Sequence, residues 1–191
     1  MDDVFDTVYF GGGTPSMIGA DAICEILSHI NYTKDAEITV ECNPRAYKPD
    51  FFQKISKCGV NRVSIGLQSA NDSELNFLTR NQTADDVSRT IELCKSSGID
   101  NISLDVMLGI KKQTVDTLKH TLDYCISSNA KHISAYMLSI EDNTPFSKLD
   151  VNTLPDEDSV SDLYLYCCDY LAMHGYRHYE ISNFAKPGYE A

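Results

Sequence analysis

One local pattern recurs along the chain and restricts the folds open to it. Gly59-Val60-Asn61-Arg62-Val63-Ser64-Ile65 matches Gly98-Ile99-Asp100-Asn101-Ile102-Ser103-Leu104 position by position, and Asn129-Ala130-Lys131-His132-Ile133-Ser134-Ala135 repeats it more loosely. Each copy opens on Gly or Asn, the residues that tolerate the left-handed backbone closing a helix, and then enters a β-rich run. The intervals between Ser64, Ser103 and Ser134 each leave room for a strand and a crossover helix. Strands alternating with helices point to an α/β fold with a parallel sheet, open or closed into a barrel.

The intervening segments carry helical periodicity. Residues 83–97 place Val87, Thr90, Ile91 and Cys94 on one face, with Thr83 and Asp86 as a capping-box start and Gly98 as the stop. Residues 114–128 do the same with Val115, Leu118, Leu122, Cys125 and Ile126. An earlier amphipathic helix runs over 21–31 through Ile23, Ile26, Leu27 and Ile30. A late one carries Val160, Leu163, Tyr164, Cys167 and Leu171 and ends at Gly175.

Parallel strands covered on both faces usually read as unbroken apolar runs. Here they alternate. Ile38, Val40 and Cys42 oppose Thr39, Glu41 and Asn43; Val63, Ile65 and Leu67 oppose Ser64, Gly66 and Gln68; Ile102, Leu104, Val106 and Leu108 oppose Ser103, Asp105 and Met107. An exposed sheet face would explain this, but it is rare in a parallel sheet flanked by helices. A barrel or half-barrel with a polar interior explains it better, with ligands at the C-terminal ends of the strands. Glu41, Gln68 and Asp105 are then expected to meet at one mouth, beside the glycines ending the first strand.

Those glycines lie in Val8-Tyr9-Phe10-Gly11-Gly12-Gly13-Thr14-Pro15-Ser16. No Gly-Lys-Ser/Thr follows, so this is no P-loop, and the spacing is not that of a dinucleotide fingerprint. One glycine serves a tight turn; three suggest backbone bared to a ligand. Bare amides and carbonyls suit an amino-acid-like zwitterion. Glu41 adds charge for an ammonium or accepts from a ribose hydroxyl, and Arg80 offers a bidentate grip on a carboxylate.

The formal net charge of −12 and the absence of a basic cluster argue against a nucleic-acid partner. No apolar run is long enough for a membrane span, and the acidic start Met1-Asp2-Asp3-Val4 does not suit a signal peptide, so a cytoplasmic location is expected. The odd cysteine count, seven, suggests reduced and mostly buried thiols. The five histidines show no metal-ligand spacing; Tyr176, Tyr179 and Tyr189, with Arg177 and His178, suit either contact with a flat macrocycle or an aromatic packing strip, and the strip is favoured.

Five stretches occur in order: Phe10-Gly11-Gly12-Gly13-Thr14-Pro15-Ser16, Glu41-Cys42-Asn43-Pro44, Ser64-Ile65-Gly66-Leu67-Gln68-Ser69, Arg80-Asn81-Gln82-Thr83 and Asp105-Val106-Met107-Leu108-Gly109. Together they resemble the radical S-adenosylmethionine (SAM) proteins of the oxygen-independent coproporphyrinogen III oxidase family, over essentially the whole chain. The tail Tyr179-Glu180-Ile181-Ser182-Asn183-Phe184-Ala185-Lys186-Pro187-Gly188-Tyr189-Glu190 is more similar to the heme-chaperone branch than to the true oxidases.

The resemblance implies a partial TIM-like (β/α) barrel over residues 1–150, with the last helix and the start of a C-terminal region over 151–191. It implies S-adenosylmethionine contacts at Gly12, Gly13, Thr14, Glu41, Gln68, Arg80 and Asp105. It also implies a [4Fe-4S] cluster, reductive cleavage of S-adenosylmethionine to a 5′-deoxyadenosyl radical, and heme or a porphyrinogen as ligand. The chaperone branch delivers heme to acceptor proteins, whereas the true oxidases decarboxylate coproporphyrinogen III. The family holds its cluster with a Cys-x-x-x-Cys-x-x-Cys run upstream of the glycine loop, and no cysteines here have that spacing. The chain is therefore expected to be an internal piece of a longer protein, inactive by itself, with no catalytic residue or metal ligand of its own. A first strand is expected to be missing, leaving a pairing edge beside the glycine strand and a tendency to self-associate.

Overall fold

The computed structural model describes residues 3–141, 146 and 153–191. In chain order the elements are β1 (Phe5–Phe10), α1 (Pro15–Ile18), α2 (Ala20–Ser28), β2 (Tyr32–Cys42), α3 (Phe51–Lys57), β3 (Arg62–Gln68), α4 (Asp72–Phe77), α5 (Ala84–Ser96), β4 (Asn101–Leu108), α6 (Val115–Ser127), β5 (His132–Met137), α7 (Glu157–Met173), β6 (Arg177–Glu180) and β7 (Asn183–Ala185). The strands are hydrogen-bonded in the order β1-β2-β3-β4-β5-β7-β6. The expected strand–helix alternation runs from β1 to β5. Beyond the expected barrel segment a ribbon is added at one edge, where β7 pairs antiparallel with both β5 and β6. The short Ile181–Ser182 link turns the chain straight back, which a parallel crossover would not permit. The expected domain boundary at residue 150 lies outside the described residues.

The repeat is borne out by its backbone: Gly59, Gly98 and Asn129 hold φ of 110°, 86° and 58°. Each closes a helix in the left-handed region before the next strand begins.

The chain forms two compact units. The first comprises residues 1–66 and 85–104 with Ala191. In it β1 pairs parallel with β2, and β2 with β3 in the register Val40↔Val63 and Glu41↔Ser64. The apolar strand faces form its core: Ile38, Val40, Val63, Ile65, Ile102 and Leu104 are buried against Ile23, Leu27, Ile55, Val87 and Cys94 of the helices. Phe51 and Phe52 join them edge to face, with centroids 5.2 Å apart. The opposite strand face carries a buried polar group at its foot. Arg62 Nη1 donates to Thr39 Oγ1 at 3.2 Å, its Nε lies 3.9 Å from Glu37 Oε2, and Asn101 Nδ2 donates to the same oxygen at 3.3 Å.

Cysteine pairing corrects one expectation. Cys24 on α2 and Cys58 at the end of α3 form a disulfide, because the two helices bring their Cα atoms to 5.7 Å. The other five cysteines are free; Cys42, Cys94, Cys125 and Cys167 are buried.

The second unit comprises residues 67–84 and 105–190. Leu67, Leu75, Val106, Leu108, Leu118, Leu122, Ile133, Leu163, Leu171 and Phe184 form its core. Helix α6 begins with a capping box between Thr114 and Thr117, and Asp156 caps α7 by accepting from Ser159 N at 2.8 Å. The three tail tyrosines pack against separate partners, Tyr179 on His132 and Tyr189 under Lys131. Tyr176 is buried with its hydroxyl on Ala130 O at 2.7 Å, Lys186 lies over its ring, and His178 stacks on Phe184.

Candidate functional site

In the first unit the site is the loop that ends β1. Gly12 and Gly13 hold φ of 81° and 57°, a backbone that non-glycine residues adopt only with strain. Methyl groups there would meet nothing within 4 Å, so the loop's outer side is open. Gly11 is different: a methyl group would lie 2.8 Å from Tyr9 Cε1 and 3.1 Å from Glu41 Oε1. The glycine loop and Glu41 are thus brought together. Gly12 N donates to Glu41 Oε2 at 3.1 Å, and Tyr9 Oη donates to Oε1 at 3.0 Å. Glu41 reaches the loop because β1 and β2 run parallel in register, with Phe10 opposite Val40. Each carboxylate oxygen has a second lone pair for a further donor. Thr14 precedes α1 and makes no side-chain cap bond.

In the second unit Gln68 and Arg80 line one cavity of about 200 Å³, together with Leu78, Met107, Leu138 and Ser139 among others. Gln68 is buried and ends β3 at φ 67°, a strained conformation for this residue. Such outliers concentrate at ligand sites, where the surrounding structure enforces them. Polar bonds anchor the segments around it. Gln82 Nε2 donates to Leu67 O at 3.0 Å, and Ser69 Oγ donates to the buried Glu74 Oε2 at 2.6 Å. Gln113 Nε2 donates to Met107 O at 3.0 Å, while its Oε1 accepts from Gly109 N at 2.8 Å.

Arg80 is exposed and follows the turn in which its N–H donates to Leu75 O at 2.9 Å. Among the described residues its guanidinium makes no hydrogen bond or ion pair, and the residue lines the cavity. Asp105 is half-buried on β4, close enough to Cys125 to help raise that thiol's pKa, although burial is the larger cause. It does not line the cavity of Gln68 and Arg80.

Sequence reasoning missed the apolar wall, Leu78, Met107 and Leu138, and the amide scaffold of Gln82 and Gln113. The only signal available was position: Gln82 lies two residues after Arg80, and Gln113 follows shortly after the Asp105–Gly109 stretch.

Among the described residues no three His, Cys, Asp or Glu side chains are grouped to hold a metal. Burial also raises the pKa of the free buried cysteines: desolvation pushes Cys42 and Cys167 up to about 12, and Cys94 and Cys125 are raised as well, mainly by burial. No described helix is long and apolar enough to cross a membrane.

A family model described as the Radical SAM superfamily matches residues 2–125. The chain is 34% identical over 192 residues to the heme chaperone HemW of Lactococcus lactis, covering 97% of this chain and 51% of that protein. It is 36% identical over 188 residues to HemW of Escherichia coli, covering 96% of this chain and 50% of the relative. The chain thus spans about half the length of these curated relatives. Coproporphyrinogen III oxidase HemN from Escherichia coli, described as a radical SAM enzyme, superposes with a TM-score of 0.84 at 23% identity, over 96% of this chain and 44% of that one. At that identity the likeness is one of fold, and it bears out the expected α/β partial barrel of radical SAM type.

Proposed function

The chain belongs to the radical SAM superfamily, and from that premise we propose that it is the S-adenosylmethionine-binding part of a heme chaperone of the HemW type. Superfamily membership implies S-adenosylmethionine and a [4Fe-4S] cluster. The described residues do not fit the cluster, so no residue here is assigned to it and no step is derived through it. They do fit S-adenosylmethionine, which supplies a sulfonium flanked by an amino-acid end and a ribose.

In the first unit, Gly12, Gly13 and Thr14 present open backbone to the amino-acid end, and Glu41 accepts from its ammonium or from a ribose hydroxyl while fixing the loop. In the second unit, Arg80 grips the carboxylate, Gln68 hydrogen-bonds from the cavity wall, and Asp105 accepts from a further hydroxyl. The observation that carries the reading is the Gly12–Glu41 hydrogen bond. It joins two motifs, distant in sequence, into one rigid acceptor site beside an open glycine backbone.

Heme as cargo, transfer to acceptor proteins and a cytoplasmic location complete the proposal. They rest on the names of relatives about twice as long as this chain. The test uses the full-length protein. A Soret shift on adding heme, followed by transfer to an apo-hemoprotein, is expected, with no consumption of coproporphyrinogen III under reducing anaerobic conditions. Consumption of coproporphyrinogen III without heme transfer would assign the protein to the oxidases instead.

A further inference from the structure

Leu67, Gln68 and Ser69 form a γ-turn at the end of β3. Ser69 N donates to Leu67 O at 2.9 Å across Gln68, whose φ is 67°. A γ-turn with its central residue at positive φ is the rare and strained form. Gln68 is buried and lines the cavity it shares with Arg80, and among the described residues its side-chain amide makes no hydrogen bond. The strained residue is thus one whose side chain serves no polar neighbour within the protein.

Two buried side chains hold the limbs of the turn, and neither lines the cavity. Gln82 Nε2 donates to Leu67 O at 3.0 Å, so that carbonyl accepts from both Gln82 and Ser69. Glu74, only 3% exposed, accepts at Oε2 from Ser69 Oγ at 2.6 Å. Ser69 Oγ in turn accepts from Asn71 N at 2.9 Å, just before α4 begins. Glu74 occupies its place at a cost, because its Oε1 is buried with no hydrogen-bond partner among the described residues. A buried acceptor without a donor lowers stability, and an apolar side chain of similar volume would avoid that loss. Stability alone therefore does not account for this carboxyl group, whereas its short bond to the turn does.

We propose that Glu74 and Gln82 are positioning residues: they clamp the two limbs of this turn and so fix the Gln68 amide in the orientation that bonds S-adenosylmethionine. The inference rests on the S-adenosylmethionine reading of the cavity and extends it to two side chains that touch no ligand. Glu74 acts on the Ser69 limb and Gln82 on the Leu67 limb, so loss of either releases the turn. Once released, Gln68 relaxes to an ordinary negative φ, and its amide is no longer held toward the ligand.

A double-mutant cycle in the full-length protein tests this, read by calorimetric titration with S-adenosylmethionine. Glu74→Met should weaken binding about tenfold in the wild-type background and add no loss in a Gln68→Ala background, because the clamp acts only through Gln68. Its fold is expected to hold: Ser69 Oγ keeps Thr121 Oγ1 within 3.4 Å, and Gln113 Nε2 keeps its bond to Met107 O at 3.0 Å. Glu74→Gln retains an acceptor for Ser69 Oγ and should keep most of the affinity. Hydrogen exchange at the Ser69 amide gives a readout without ligand, slow in the wild type and at least about tenfold faster in Glu74→Met. If Glu74→Met fails to fold, Gln82→Met releases the other limb and should show the same faster exchange. An equal loss from Glu74→Met in both backgrounds would mark a general structural role and overturn the proposal, as would unmoved affinity or unmoved Ser69 exchange. Absence of binding by the wild type would instead sink the S-adenosylmethionine reading, with Ser69 exchange still deciding whether Glu74 holds the turn.

Discussion

A methyl group on Gly11 would come within 2.8 Å of Tyr9 Cε1 and 3.1 Å of Glu41 Oε1, whereas Gly12 and Gly13 have free space around them and left-handed backbones. The three consecutive glycines therefore answer to two different demands. Gly11 lets Tyr9 and Glu41 close over the strand end, and its two neighbours turn the chain so that Gly12 N meets Glu41. Gly11→Ala is accordingly expected to weaken S-adenosylmethionine binding by pushing Glu41 off the loop. Because Tyr9 is largely exposed, adding Tyr9→Ala should recover part of that loss, giving a non-additive double-mutant cycle. Strict additivity would show that Gly11 acts through something other than this contact. Gln68 is the counterpart in the second unit: a buried amide held at φ 67° by its neighbours. Its backbone strain has no signature in the sequence, since nothing about a glutamine after Gly66-Leu67 announces a positive φ.

At the scale of elements, α2 and α3 are tied by the Cys24–Cys58 disulfide, which spans 34 residues of sequence. Lys54 adds ion pairs to Asp21 at 2.9 Å and Asp50 at 3.3 Å, but exposed pairs of this kind contribute little. The bridge contributes more: closing a loop of that length stabilises by about 3–4 kcal/mol in the chain-entropy account. Dithiothreitol should lower the urea midpoint of the oxidised protein, and the Cys24→Ser/Cys58→Ser variant should unfold at that lower midpoint with or without reductant. A midpoint unmoved by reductant would mean the two helices gain nothing from the bridge. In a reducing compartment the reduced stability is the one that applies.

The elements themselves were legible. The repeated Gly/Asn-to-strand pattern located β3, β4 and β5, and apolar spacing located α2, α5, α6 and α7 to within a few residues. The alternating strand faces singled out Glu41 and Gln68; in the structure Glu41 meets the glycine loop and Gln68 lines a cavity. The disulfide was not legible, because cysteines 34 residues apart on two different helices meet only through tertiary packing. Nor was the antiparallel β6–β7 ribbon, whose short strands lack a clear period. The buried Glu74 and Arg62 look like surface charges in sequence, and only their partners, Ser69 and Thr39, show why they are inside.

For the molecule as a whole, four free cysteines are buried, and desolvation raises each of their thiols, Cys42 and Cys167 to about 12. Once unfolded, these thiols ionise near their ordinary value of 9.0. The folded chain thus holds protons that the unfolded chain gives up, so stability is full below about pH 9 and falls as pH rises toward 12, each thiol adding a slope of about 1.4 kcal/mol per pH unit. Urea midpoints should hold steady between about pH 7 and 8 and drop between about pH 9 and 11. A flat profile across that range would mean the thiols are not sealed in the two cores.

The central claim is the proposal that each unit by itself contributes S-adenosylmethionine contacts, Gly12, Gly13, Thr14 and Glu41 in the first and Gln68 and Arg80 in the second. Calorimetric titration of S-adenosylmethionine into the full-length protein and its Arg80→Ala and Gly13→Val variants tests it most directly. Loss of a charge partner or of the open loop backbone should weaken binding by roughly ten- to a hundredfold in each variant. Arg80→Ala should leave thermal stability little changed, whereas Gly13→Val should also lower it, because a β-branched residue is strained at φ 57°. Affinity unchanged in both variants would contradict the claim.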